Sequence, residues 1–167
     1  TVHLLRELGA ARQRLRGELE AARAVQQLLL PGPDLAGADP EIEVEYQPAQ
    51  EVGGDFYHVM TGEDASRVVV VGDVSGKGLK AAMLVSVVVG ILRTVKESSP
   101  AAVLAALNDG LTGHTGGGFV TCCCARFEPG GTVAIANAGH LSPYCDGREM
   151  EVEAGLPLGV VAGAAYE

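Results

Sequence analysis

Two short stretches hold the residues best suited to chemistry: E-V-G-G-D-F-Y-H at 51–58 and G-D-V-S-G-K-G at 72–78. Each sets one aspartate beside glycine at the end of a strand-like run. Gly53 and Gly54 precede Asp55, and Gly72, Gly76 and Gly78 surround Asp73. Glycine lets a backbone come close to a bound group. Carboxylates on two strands of one sheet can converge on a point, and hard oxygen ligands of this type suit Mg2+ or Mn2+. Asp beside Gly also serves plain turns and caps, and spacing alone leaves both readings open. A Walker loop does not fit residues 72–78. Its G-x-x-x-x-G-K-[ST] spacing fails between Gly72 and Gly76, and fails again where Gly78 follows Lys77. A weaker anion site survives at the free N–H groups near Ser75, with Lys77 beside them.

The second half carries F-V-T (119–121), N-A-G-H (137–140) and G-L-P-L-G-V (155–160). His140 after Gly139 reads as a hydrogen-bonded turn residue, or else as a ligand or general acid. His3 and His114 stand in surface-like contexts. With no G-x-S-x-G and no Cys–His spacing, covalent nucleophile chemistry is not indicated. Cys122, Cys123 and Cys124 are consecutive, so on a strand they point to alternating faces, and with no C-x-x-C pair the spacing does not suit a zinc site. They read as small buried apolar residues in a reducing cytosol.

These residues need elements to hold them. Residues 2–30 predict one helix, with Leu4, Leu8, Ala11, Leu15, Ala22, Val25 and Leu29 in heptad-like steps and Leu19 at the broken position. Such a helix either packs on its own domain or forms a two-stranded coiled coil, a homodimer through residues 2–30. Pro31, Gly32 and Pro33 open a linker that runs to Pro40. Strands are expected at 41–46, 53–60 and 67–74. A helix follows over 77–96 with Ser75 as N-cap, and another over 100–111 with Ser99 as cap and Pro100 in its first turn. Strand 119–127 turns through Pro129-Gly130-Gly131 into strand 132–137, with short strands near 141–145 and 149–153. Strands in consecutive blocks predict an α+β fold with antiparallel sheets. The domain plan is therefore a helix at 1–30, a linker at 31–40 and a globular domain at 41–167.

The whole chain has 167 residues and a net charge of −9. Residues 1–30 hold five Arg and three Glu, a net +2, so the remainder carries −11 (−9 less +2). An acidic chain with 4% aromatics and no Trp does not suit nucleic acid. No apolar stretch is long enough to span a bilayer and no signal peptide is visible, which predicts a cytoplasmic protein without membrane insertion. The chain opens on Thr1 without an initiator Met and reads as part of something longer.

Taken in order, Q-Q-L-L-L-P (26–31), Y-Q-P-A-x-x-V-G-G-D-F-Y (46–57), G-D-V-S-G-K-G-x-x-A-A-M (72–83), F-V-T, N-A-G-H and G-x-P-L-G-V resemble one family. It is the bacterial sporulation and stress-response branch of the metal-dependent, protein phosphatase 2C-like Ser/Thr phosphatases. The resemblance covers roughly residues 25–166. It implies two stacked antiparallel sheets flanked by helices, an αββα sandwich, with two Mn2+ or Mg2+ ions at one end. It implies that Asp55 and Asp73 are metal-ligand and catalytic aspartates, with Asp73 bridging, and that the Val74 carbonyl is a backbone ligand. Gly54 and Gly72 would give the ions room, and Ser75, Gly76 and Lys77 would sit at the rim. Water activated by the metals would attack the phosphorus of a phosphoserine or phosphothreonine, with no phosphoenzyme. Substrates in this branch are phosphorylated anti-sigma-factor antagonists, and a helix like 2–30 commonly joins an upstream sensor domain.

Two departures qualify the resemblance. His58 stands where the family often has Asp. The further aspartates that complete the family's metal site, including an S/T-D-G motif, do not occur before Glu167; Asp146-Gly147 reads as a hairpin turn. The expectation is thus a C-terminally incomplete phosphatase domain, weak or inactive as this chain. The alternative is a catalytically inactive, phosphatase-like module for dimerisation and partner binding. Nucleotide binding at Gly76–Gly78 is a third reading, disfavoured by the failed Walker spacing.

Overall fold

The computed structural model describes residues 2–29, 40–48, 52–62 and 64–167. The expected linker lies outside these except for Pro40, as does Pro31 of the Q-Q-L-L-L-P motif. Helix α1 (Val2–Leu29) comes first. A four-stranded sheet follows, of β1 (Asp55–Thr61), β2 (Arg67–Val74), β3 (Val120–Phe127) and β4 (Val133–Ala138). Helices α2 (Leu79–Leu92) and α3 (Pro100–Leu111) are inserted between β2 and β3, and a two-stranded ribbon of β5 (Tyr144–Cys145) and β6 (Arg148–Glu149) closes the series. The sheet order is β1-β2-β3-β4 and each neighbouring pair is antiparallel. The fold is therefore α+β with antiparallel sheets, as the strand blocks predict.

Period-two alternation divides the sheet into two faces. Phe56, Val68, Val70, Val74, Cys122, Cys124, Ala136 and Ala138 point to the helices and are buried. They meet Val85, Val88, Val89 and Leu92 of α2 and Val103, Leu104, Leu107 and Leu111 of α3 in one core. Each buried Val, Leu or Phe there contributes about 1.5–3 kcal/mol. The other face presents Tyr57, Val59, Val69, Val71, Cys123 and Ala125, and Val71 is 44% exposed. The three cysteines divide as alternation requires, Cys123 to the open face and its neighbours to the core, and all are free thiols. Burial pushes the Cys124 thiol up to about 12.

Several elements differ from expectation, β1, β3, β4, β5 and β6 at their ends and the following more widely. Residues 41–48 form no ladder. Their alternation marks a half-buried segment, but a ladder also needs a partner strand, which pattern alone does not supply. The segment instead lies over the open face, where Ile42, Glu43, Val69 and Val71 line shared grooves. Helix α2 starts at Leu79, not Lys77, and its N-cap is Gly78, not Ser75. Gly76 and Gly78 have φ of 106° and 71°, which interrupts the helix before it begins. At its other end α2 stops at Leu92, where Thr94 donates through its hydroxyl to the Ile91 carbonyl (2.8 Å). In α3, Ser99 occupies the N-cap position with Pro100 next, but its side chain makes no cap bond. The Asp146-Gly147 turn has φ of 50° and 75° between β5 and β6, as a hairpin requires.

Helix α1 is a single element over 28 residues. Its docked stripe is Leu19, Ala22, Gln26 and Leu29, a 3-4-3 spacing in which Gln26 replaces the expected Val25. Leu8 and Leu15 are each 58% exposed. No helix among the described residues is long and apolar enough to cross a membrane.

Candidate active site

Asp55 opens β1 and Asp73 is next to last in β2, and the ladder sets them directly opposite each other. Both belong to the open face. Thr121 on β3 is the next residue across, as the register partner of Asp73. The antiparallel register thus turns two motifs that are distant in sequence into one row: Asp55, Asp73, Thr121.

Gly54 explains why this row can close up. A Cβ on Gly54 would fall 2.8 Å from Asp73 Oδ1 and 2.8 Å from the Val74 carbonyl oxygen. Two oxygens therefore converge on the space that a side chain would fill, with the Asp55 strand position alongside. The Val74 N–H donates to the Gly54 carbonyl (3.0 Å) and locks the two chains at this point. Upstream, the buried Gln26 side chain clasps Gly53. Its Nε2 donates to the Gly53 carbonyl (2.8 Å) and its Oε1 accepts from the Gly53 N–H (3.3 Å). Tyr46 donates to the Asp55 carbonyl (3.2 Å). Gly72 does a different job from the one expected. It faces the helices, and the space beside it holds the Phe56 ring, not the carboxylates.

The electrostatics follow from the row. Burial, then the charge of Asp55, raise the Asp73 carboxyl above its usual value. His140 and the Val74 N–H pull the other way. Like charges directly opposite on a ladder destabilise it, and a divalent cation between them would remove that cost. The donors present (the Asp73 carboxylate and the Val74 carbonyl at the Gly54 gap, with Asp55 opposite Asp73 on the ladder) are hard oxygens and fit Mg2+ or Mn2+. Among the described residues there is no group of three or more His, Cys, Asp or Glu side chains placed to hold an ion.

The remaining motifs assemble around this row. Asn137, buried in β4, accepts from the His140 N–H through Oδ1 (2.7 Å) and donates through Nδ2 to the His140 carbonyl (3.0 Å). Gly139 supplies the left-handed turn between them at φ 69°, and a Cβ there would meet Pro157 at 3.0 Å. N-A-G-H and G-L-P-L-G-V are therefore two halves of one packed corner. The corner sets the His140 ring against Thr121, whose Oγ1 lies 2.9 Å from Nδ1. His140 also lines a cavity of about 580 Å3 together with Asp55, Tyr57 and Val71. Burial lowers the His140 pKa, while Asp73 and Asp55 raise it.

Ser75 lies at the edge of the row. Its hydroxyl accepts from the Phe119 N–H (2.8 Å) and its own N–H donates to the Phe119 carbonyl (2.9 Å). It joins G-D-V-S to F-V-T instead of capping α2. Gly76 and Lys77 are exposed beside it. His58 is not part of the row. It faces the helices opposite Val70, its Nδ1 is buried without a partner, and burial, then Arg93, lower its pKa. Sequence reasoning passed over Thr121, Asn137, Gln26 and Asn108. Asn108, buried in α3, accepts from the Gly159 N–H and donates to the Val161 carbonyl, both at 2.9 Å. A polar residue inside an apolar helix pattern was the available signal for Asn108. The other three lay inside quoted motifs without any sign of their partners.

Known proteins resemble this chain in sequence and in fold. Residues 63–167 match the family model described as Stage II sporulation protein E (SpoIIE). Protein IcfG of Synechocystis sp. is 40% identical over 78 residues, which take in 46% of this chain and 12% of IcfG. The SiaA-PP2C domain of Pseudomonas aeruginosa superposes with a TM-score of 0.72, covering 95% of this chain and 67% of that one at 19% identity. The RsbU and RsbW domains of Rv1364c from Mycobacterium tuberculosis give a TM-score of 0.54 at 23% identity, covering 71% of this chain and 36% of that one. At these identities the two structures speak for the fold. The chain spans only a small part of the curated relative that it matches.

Proposed function

Because this chain belongs to the SpoIIE family, within the metal-dependent protein phosphatases, we propose that its site hydrolyses phosphoserine or phosphothreonine on a regulatory phosphoprotein. The substrate of this reading is an anti-sigma-factor antagonist. The observation that carries it is the cross-strand pair Asp55–Asp73 with Asp73 Oδ1 and the Val74 carbonyl converging on the Gly54 gap. In this reading Asp55, Asp73 and the Val74 carbonyl hold Mn2+ or Mg2+. When bound, the metal supplies charge neutralisation at the phosphoryl group and a water activated for attack. The residues do the rest by position. Gln26 and Tyr46 fix the backbone around Gly53 and Asp55, and the Val74–Gly54 bond holds the carboxylates opposite each other. Ser75, Gly76 and Lys77 form the rim against which the phosphoprotein lies.

The test is hydrolysis of a phosphoserine protein in Mn2+ by a chain extended past Glu167, together with calorimetric Mn2+ binding. Asp73→Asn is expected to abolish both. Unchanged turnover in that variant would sink the reading. A second reading is a catalytically inactive phosphatase-like module for dimerisation and partner binding. The shortage of a third ionisable ligand among the described residues favours it. Millimolar Mn2+ that fails to bind while a protein partner still does would establish it. Both readings share a cytoplasmic location, an upstream sensor domain and a homodimer through α1, where the exposed Leu8 and Leu15 support self-association. Sedimentation analysis of Leu8→Lys/Leu15→Lys tests the dimer.

A further inference from the structure

We propose that His140 contacts the phosphoryl group at this site, donating a hydrogen bond from Nε2 to a phosphoryl oxygen. The proposal rests on the phosphatase reading and adds a residue to it. The first step is the tautomer. Thr121 Oγ1 lies 2.9 Å from His140 Nδ1 and 3.4 Å from the Asp73 carbonyl. The contact to Nδ1 is within ordinary hydrogen-bond distance and the other is longer. The proposal takes Thr121 as the donor to Nδ1; a neutral ring with Nδ1 as acceptor then carries its proton on Nε2.

The second step is direction. Nε2 lies on the opposite side of the ring from the Thr121 bond and has no partner among the described residues. His140 lines the cavity that Asp55 also lines. The third step is rigidity. The backbone of His140 is held at both its N–H and its carbonyl by the buried Asn137, and Gly139 is backed by Pro157. A donor fixed in this way loses little entropy on meeting an anion. Asp55 would repel a phosphoryl group, so a neutral N–H donor on His140, which lines the same cavity, is the kind of group a phosphate needs there.

The test is imidazole 1H–15N spectroscopy of the 15N-labelled chain in Mg2+, titrated with inorganic phosphate. In the free chain His140 is expected as the Nε2–H tautomer. Thr121→Val should remove that preference and Thr121→Ser should keep it. Phosphate should shift the His140 Nε2 signal saturably and leave His3 and His114 in place. His140→Ala should weaken phosphate by about tenfold or more, since the bond lost is to a charged acceptor. His140→Gln, whose amide reaches the place of Nε2, should keep more of the affinity than His140→Asn. An Nδ1–H tautomer, or equal phosphate affinity in wild type and His140→Ala, overturns the proposal. Mg2+-induced shifts at the Asp55 and Asp73 amides report the metal reading separately. If they occur while His140→Ala binds phosphate normally, the proposal alone fails; if they are absent, the metal reading fails and the proposal falls with it.

Discussion

The two faces of the four-stranded sheet are built from alternate residues of the same strands, yet they do different work. Toward the helices, Phe56, Val70 and Cys122 fit a sealed apolar layer. Toward the open side, the same strands present Asp55, Asp73 and Thr121 in a row, with Tyr57, Val71 and Cys123 beyond them. A step of one residue separates stability from chemistry. Gly72 and Gly54 show the same division. The first leaves room for an aromatic ring in the core and the second leaves room for two oxygens at the site.

Phe56→Ala is the most severe way to probe that division. It empties a fully buried ring site and should cost about 3–5 kcal/mol, read as a fall in the urea midpoint. The row of Asp55, Asp73 and Thr121 lies on the other face, so any variant population that still folds should bind Mn2+ normally. Gly54→Ala reverses the pattern. Its methyl would meet Asp73 Oδ1 and the Val74 carbonyl, and the shift needed should cost about 1–3 kcal/mol. Mn2+ binding should be lost in the folded protein. Calorimetry on the two variants gives opposite answers if the faces are independent, and the same answer if they are not.

The consecutive cysteines provide a finer contrast. Cys122→Ser puts a hydroxyl into the sealed layer and should cost about 1–3 kcal/mol. Cys123→Ser, one residue on, faces the half-open side and should stay within about 0.5 kcal/mol. Equal losses of thermal stability would mean that the open face is as tightly covered as the helix face.

How much of this was legible in the sequence depends on whether the relevant physics is local. The V-V-V-V run placed β2 at its observed bounds because a buried strand is a local hydrophobic signal. The two aspartates were legible as a pair because glycine beside each marked a close approach. The roles of Gly72 and Ser75 were not, since each depends on a tertiary partner: Gly72 on the Phe56 ring across the β1–β2 ladder, and Ser75 on Phe119, 44 residues later and just before β3. The 41–46 segment shows the same limit. Alternation reported its half-burial but could not report that no ladder partner was available. His140 could be read only as a turn residue or a ligand until the Asn137 clasp and Thr121 were seen around it.

Asp73→Asn should have a small effect on stability, and its sign carries the information. Burial and Asp55 raise the Asp73 carboxyl in the folded state above its usual 3.8. The folded chain then holds this proton more tightly than the unfolded one. Stability must therefore fall as pH rises from about 3.8 through the raised folded value, and stay lower above it. Below that window the Asp73 carboxyl is protonated in the folded and the unfolded chain alike, and the contribution vanishes. Asn carries no charge, so the variant should lack this fall and, without metal, be slightly more stable than wild type at neutral pH, within about 1 kcal/mol. Added Mn2+ should invert the order, because a ligand that binds only the folded wild type stabilises it by mass action. Melting temperatures of both proteins from about pH 3 to 7, with chelator and then with Mn2+, measure all of this. A difference that ignores both pH and metal would mean that the two carboxylates, though opposite on the ladder, neither repel each other nor share an ion.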